Sequence, residues 1–349
     1  MINYIACSEC FEDQGLRLDA RRLGDEENID CPNCGKPNGQ KLSENSLESL
    51  AYRFFVWGSL HKCDFGGAPI IQFNQHQNTS IDVSQWLKND IQIFENLLGV
   101  GFFHYGPRLW MVGEIEPLKD LQNEEISYKI IERVLAEYPT RFIDSSHELY
   151  RIRKSPTYPD SDLQYDSPPL EFTGNGRLDD QSFPVMYASE DLDVCLHECR
   201  VTAEDKIYLA TLQPVTKLKM LDLTVLLKEE NVTEFESLDI AIYMLFLAGS
   251  HAYPITRNIS RVAKERDYDG IIYPSYFSSL RLGIRPFLTT YGISHRRIPE
   301  YQEYEQQTTI PNAAIFGYPL AEGKLKIKCI NRLVLSQVTY DVRFGPIKN

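Results

Sequence analysis

Four cysteines in two short pairs constrain the start of this chain more than any other feature. Cys7-Ser-Glu-Cys10 is followed by twenty residues and then by Cys31-Pro-Asn-Cys34-Gly35. Each CxxC turn sets two thiolates on one side of a tight loop, and two such turns facing each other close a tetrahedron, the arrangement of a four-thiolate zinc site. Gly35 suits the left-handed backbone such a turn needs. A closed four-Cys site leaves no coordination position for a substrate. Cys7, Cys10, Cys31 and Cys34 are therefore read as ligands of a structural Zn²⁺, not as a catalytic centre.

The chain has 349 residues, room for two or three domains. Its formal net charge of −13 repels phosphate backbones, so general nucleic-acid binding is disfavoured. A local basic stretch from Arg281 through Arg285 to Arg296 and Arg297 reads as a solvated loop. Met1–Ala6 is too short for the apolar region of a signal peptide, and the longest apolar run, Ile240–Ala248, is too short to span a membrane. A cytoplasmic protein is expected, and its eight cysteines then serve better as metal ligands or buried thiols than as disulfides.

Three regions follow: a zinc knuckle over residues 1–40, a mostly helical region over 41–142, and a catalytic domain over 143–349. Leu47, Leu50, Ala51, Phe54 and Phe55 recur at helical spacing, as do Trp86, Ile93 and Leu97, and then Ile126, Ile130, Ile131 and Val134. His61, His76 and His104 stand singly and read as structural. From about residue 145 short strand-like runs dominate: 148–153, 184–188, 206–213, 217–223, 313–316 and 325–341. Helices are expected between them at 190–201, 232–248 and 253–265. Strands and helices mixed without strict alternation give an α+β class. No Walker or GxGxxG loop is present.

Several segments in this second half, in this order, resemble the RES family. They are Leu149-Tyr150-Arg151-Ile152-Arg153, Ser167-Pro168-Pro169, Gly176-Arg177, Pro184–Ser189 running into Leu196-His197-Glu198-Cys199-Arg200, Tyr268–Ser275, and Pro311–Phe316. The resemblance covers roughly residues 145–340, and the N-terminal part is similar to an extension carried by some family members. Leu178 and Asp179 depart from the Asn, or Trp-Asn pair, that often follows the Gly-Arg. About 35 residues separate Ser275 from Asn312, a long link read as an insertion able to act as a lid or substrate-selecting loop.

The resemblance implies an ADP-ribosyltransferase-like fold with NAD⁺ as substrate. Residue chemistry agrees with it. An Arg fork binds pyrophosphate through two parallel hydrogen bonds, and Arg151 is the first choice for this, Arg177 the second, with Arg153 on the same strand face as Arg151. Nicotinamide leaves as a neutral molecule, so the reaction needs support for positive charge on the ribose rather than a general acid. Glu198, at the edge of a helix stripe formed by Leu192, Cys195, Leu196 and Cys199, fits that role. Tyr187, ending a strand just before this helix, reads as a group that stacks on nicotinamide or bonds the ribose, or as a core residue. Ser275 and Asn312 complete the candidate site as hydrogen-bonding groups. His197 faces elsewhere on the helix and reads as structural.

The reading is an NAD⁺ phosphorylase or glycohydrolase acting as a toxin or defence effector, held by an antitoxin or triggered by a protein partner, with a homo-oligomer allowed. Two alternatives stand beside it: an ADP-ribosyltransferase modifying a protein or nucleic acid, and a non-catalytic scaffold using the zinc knuckle. Water, phosphate and a macromolecule all remain open as the acceptor.

Overall fold

A computed structural model describes residues 2–105, 114–282, 295–340 and 342–347. It is a mixed helix and sheet protein, and the chain divides into two compact units. One comprises residues 1–63, 67–109 and 340–349; the other comprises 64–66 and 110–339. Among the described residues no helix is long and apolar enough to cross a membrane.

In the N-terminal unit, strand β1 (Tyr4–Cys7) pairs antiparallel with β2 (Lys41–Ser43), bringing the first CxxC turn beside the end of the second. Helix α1 (Gln14–Leu23) starts at Asp13, whose side chain accepts from Leu16 N, and α2 (Glu44–Ala51) starts at Ser43, which accepts from Ser46 N. Short strands β3 (Leu60–Cys63) and β4 (Gly66–Pro69) pair with each other, as do β5 (Ile71–Asn74) and β6 (Gly101–His104), with α3 (Gln85–Leu98) between β5 and β6 in sequence. Ala6, Phe11, Leu16, Leu47, Phe54, Phe55, Phe94 and Phe102 belong to one buried cluster. A boundary at residue 40 would cut through that core, so the knuckle and the helices after it form one body. The buried Asp90 carboxylate joins them, accepting from Glu12 N and Asp13 N at 2.8 Å each.

The second unit begins earlier than residue 143. Helices α4 (Glu116–Gln122) and α5 (Ser127–Glu137) belong to it, and Glu116 N donates to Phe235 O. Its strands are β7 (Thr140–Ile143), β8 (Leu149–Lys154), β9 (Val185–Ser189), β10 (Ile207–Pro214), β11 (Leu218–Asp222), β12 (Gly270–Pro274), β13 (Pro311–Phe316) and β14 (Leu325–Leu333). They form one eight-stranded sheet in the order β14-β10-β8-β9-β13-β12-β11-β7. Only the β11–β12 pair is parallel among those described. Helices α6 (Leu192–Glu198), α7 (Leu238–Leu247), α8 (Tyr253–Glu265), α9 (Ser278–Arg281) and α10 (Pro299–Gln307) complete the unit. The last strand stops at Leu333 rather than continuing to 341, and α6 and α7 start later than their patterns suggest because Asp191 and Ser237 cap them. The central strands read as apolar runs because both faces are covered: Ile271, Ile272, Ala313, Ala314, Ile315 and Phe316 are all buried.

The expected solvated basic loop is corrected by the structure. Arg281 pairs with Asp191 and Asp193, and Arg297 with Glu229. Arg296 is 6% exposed and forms a two-pronged pair with Asp239, both bonds 2.7 Å. Arg285 lies outside the described residues, as do residues 283–294 of the link expected to act as a lid. Arg296 thus anchors the chain before α10 to the first turn of α7. Removing one partner of a buried pair leaves an uncompensated charge. Arg296→Leu should lower the unfolding free energy by about 3–5 kcal/mol in a denaturant titration; an unchanged midpoint would show that the pair is not formed.

Candidate functional site

Three side chains from three elements meet on one face of the large sheet. Ser275 follows β12, and its Oγ donates to Glu198 Oε1 at 2.8 Å. Asn312 sits on β13, and its Nδ2 donates to the same oxygen at 2.6 Å. Both donors are buried, at 5% and 4% exposure, whereas Glu198, the last residue of α6, is exposed. An exposed carboxylate is thus held through one oxygen by two buried donors.

The sheet register explains how Asn312 reaches this place. Asn312 lies opposite Ser189 on β9 and opposite Tyr273 on β12, and Ser189 lies opposite Tyr150 on β8. Residues directly opposite in a ladder share a face. Tyr150, Ser189, Asn312 and Tyr273 therefore form one row, on the side where α6 packs its Cys195 and Leu196 against Ile152 and Leu209. Ser189 Oγ donates to Pro311 O, fixing the start of β13. Ser275 is fixed at the other edge: its N–H donates to Ile310 O, and Ser278 Oγ donates to its carbonyl.

Tyr273, not among the candidate site residues, belongs to this cluster. Burial, and then the Glu198 charge, hold its hydroxyl well above the usual tyrosine range. Its ring stacks on Phe246 of α7 at 5.3 Å. His197 stacks on Phe277 at 5.9 Å, the structural role expected of it.

The arginines do not join the cluster. Arg151 lies opposite Ala210, a member of the core on the other sheet face with Ala188, Ala313 and Ile272. Its guanidinium donates to the Tyr187 carbonyl and, at 3.0 Å, to Asp166 O. Arg153 donates to Gln164 O at 2.8 Å and to Asp166 O at 2.6 Å. The forks expected to face pyrophosphate instead hold the loop after β8, because strand alternation turns both residues toward it. Arg151 Nε is buried and has no hydrogen-bond partner among the described residues. Burial, with the Arg153 charge adding to it, pulls the Arg151 guanidinium down to about 9, still cationic at neutral pH. Asp166 locks the same loop from the other side, accepting from Ser167 N and Ala321 N.

Arg177 caps the end of α7, donating to Leu245 O and Ala248 O at 2.9 Å each, with its guanidinium over the rings of Tyr253 and Phe246. Tyr187 donates its hydroxyl to Asp179 Oδ1 at 2.7 Å and accepts from Leu178 N. Asp179, a departure from the family pattern in sequence, is thus the partner that fixes Tyr187, and its other oxygen accepts from Gly174 N. The Gly174–Leu178 loop is pinned further by Arg257, which donates to the carbonyls of Gly174 and Gly176.

The four cysteines come together in the N-terminal unit. Their sulfurs lie within 4.8 Å of one another, with Cys7–Cys10 at 3.9 Å, Cys7–Cys34 at 3.7 Å and Cys10–Cys31 at 3.6 Å. A tetrahedral Zn–S bond of about 2.3 Å sets neighbouring sulfurs about 3.8 Å apart, so the spacing fits a metal, whereas a disulfide would need about 2.05 Å. Gly35 takes the left-handed conformation (φ 72°) expected of it, and its N–H donates to Cys31 O.

A family model described as the RES domain matches residues 148–284. That span holds Arg151, Arg177, Tyr187, Glu198 and Ser275, while Asn312 lies beyond it. No curated protein matches the chain. Among solved structures it is similar to a chain in the crystal structure of the M. tuberculosis MbcT–MbcA toxin–antitoxin complex, with 15% identity over 58% of this chain and 91% of that one and a TM-score of 0.32. On this match, residues 148–284 of the chain are similar to the RES domain.

Proposed function

We propose that this chain consumes NAD⁺ by breaking the nicotinamide–ribose bond, with Glu198 as the catalytic carboxylate. The observation that carries the reading is the pair of buried donors on one oxygen of an exposed carboxylate. Two such hydrogen bonds fix the direction of the carboxylate. They leave Oε2 available to accept from the ribose 2′-hydroxyl. As the C–N bond breaks, its electron pair leaves with neutral nicotinamide and positive charge grows on the ribose, where a preorganised carboxylate stabilises it. An oxygen of the acceptor then bonds to the same carbon and loses its proton. Ser275 acts as an orienting donor rather than as a nucleophile. Arg151 and Arg153 shape the site through the loop they hold.

Phosphorolysis or hydrolysis is favoured as the reaction, in keeping with a RES-type toxin or effector controlled by a protein partner. Cys7, Cys10, Cys31 and Cys34 would hold a structural zinc: four thiolates would leave no open position, so the metal would supply fold stability and no Lewis-acid chemistry.

Purified protein should convert NAD⁺ to nicotinamide, and Glu198→Gln should lower the rate by about 10²–10³-fold. Ser275→Ala and Asn312→Ala should each cost about ten-fold or more, as the loss of a hydrogen bond to a charged group implies. Product analysis with and without inorganic phosphate distinguishes ADP-ribose from its 1″-phosphate, and label retained on macromolecules marks a transferase. A Glu198→Gln protein as active as the parent would remove this assignment. Metal analysis should give one zinc per chain, lost in Cys31→Ser together with native folding of the N-terminal unit; full stability without metal would count against the zinc site.

A further inference from the structure

The N-terminal unit includes a short segment from far along the chain, Val342–Gly345, and its seat has the features of a built peptide site. Phe344 packs against the core that contains Leu16, Phe54 and Phe55. Two glycines make room for it. A Cβ on Gly15 would lie 2.6 Å from Phe344 Cβ, and a Cβ on Gly58 would fall on the Phe344 carbonyl oxygen and lie 2.5 Å from Gly345 Cα. The fit is reciprocal, since a Cβ on Gly345 would lie 2.6 Å from Gly58 Cα. Polar and cationic contacts surround this close approach. Arg53, itself paired with Asp19 at 3.0 Å, donates to Val342 O at 3.3 Å. The Arg22 guanidinium lies over the Phe344 ring and that of Arg343 over Trp57, each at 6.0 Å. The Val342 side chain, at 61% exposure, makes no such claim on the site.

We propose that this groove is a recognition site for a segment of sequence Arg-Phe-Gly, and that the chain occupies it with its own Arg343-Phe344-Gly345. Each position has a separate physical requirement: a cation for Trp57, an aromatic ring for the core edge and Arg22, and a residue without Cβ against Gly58. A tethered segment sees its site at an effective concentration of about millimolar, so even a weak site is filled in cis and closed to the same motif from elsewhere. This is independent of the NAD⁺ chemistry.

The test uses the full chain. Phe344→Ala removes the anchor of the internal occupant and leaves the groove intact. A labelled peptide with the sequence of residues 340–349 should bind the Phe344→Ala chain at least ten-fold more tightly than the unaltered chain, and adding Gly58→Ala should abolish that binding. Trypsin cleavage after Arg343 gives a second measure, because it requires the segment to leave its seat. Gly58→Ala, which leaves the cleaved sequence unchanged, should speed it at least ten-fold, while circular dichroism verifies the fold; Gly15→Ala serves in its place if Gly58→Ala does not fold. Equal peptide binding by the two chains, no binding by a folded Phe344→Ala chain, or cleavage unaffected by the glycine substitution would overturn the proposal.

Discussion

Glu198 stands exposed at the end of a helix, where a carboxylate ordinarily samples several rotamers. Here Ser275 and Asn312 hold one of its oxygens at 2.8 and 2.6 Å, and both are themselves fixed by the sheet. Asn312 owes its place to register. It is flanked by Ser189 and Tyr273 across two antiparallel ladders, and a slip of one residue would turn it to the opposite face and bring Ala313 forward. The site is therefore as rigid as the central strands, although the acid itself is accessible. That is what electrostatic catalysis requires: the groups that stabilise developing charge are in place beforehand and need no reorganisation.

The arginines solve a different problem. A loop of about thirty residues joins β8 to β9, and its carbonyls need donors as it passes the sheet. Arg151 and Arg153 both donate to Asp166 O, and the Asp166 carboxylate fixes Ser167 N and Ala321 N in turn. Arg177 and Arg257 act in the same way around α7 and the Gly174–Leu178 loop. Guanidinium forks suit this work because they match two carbonyls at once and stay charged when buried.

Much of this was legible in sequence. The spacing of Cys7, Cys10, Cys31 and Cys34 announced their convergence because a CxxC turn dictates local geometry. Helix α8 matches its apolar pattern to the residue, and β8, β9, β10, β11 and β13 fall within a few residues of their expected runs, whereas β14 stops eight residues short of its run and β7 and β12 are not among the expected strands. Glu198, Ser275 and Asn312 were recognisable as candidates, but their meeting was not, since it depends on long-range strand order that no local pattern encodes. Arg151 shows the converse. Its residue type suits a phosphate fork, yet strand parity, set by the pairing with Ala210, decides which face it serves. Tyr273 does not stand out because it looks ordinary alone, a tyrosine in an apolar strand, and Asp179 stands out only as a departure from the family pattern, not as the partner of the tyrosine eight residues on.

The N-terminal unit shows how a small body is held together. Its core sets five phenylalanines among aliphatic side chains, with Phe55 against Phe94 and Phe102, and Ala6, Phe11, Leu16 and Ala20 tie the first forty residues into it. Polar groups buried at the edges carry the connection. Lys41, fully buried, donates to Pro37 O and Gly39 O, and Asp90 receives the backbone that leads into α1. A unit of this size gains more from cross-links than from extra core, because the fraction of surface it can bury is limited. Four thiolates around one ion would be such a cross-link, and Phe344, arriving from the other end of the sequence, closes the core where two glycines leave it open.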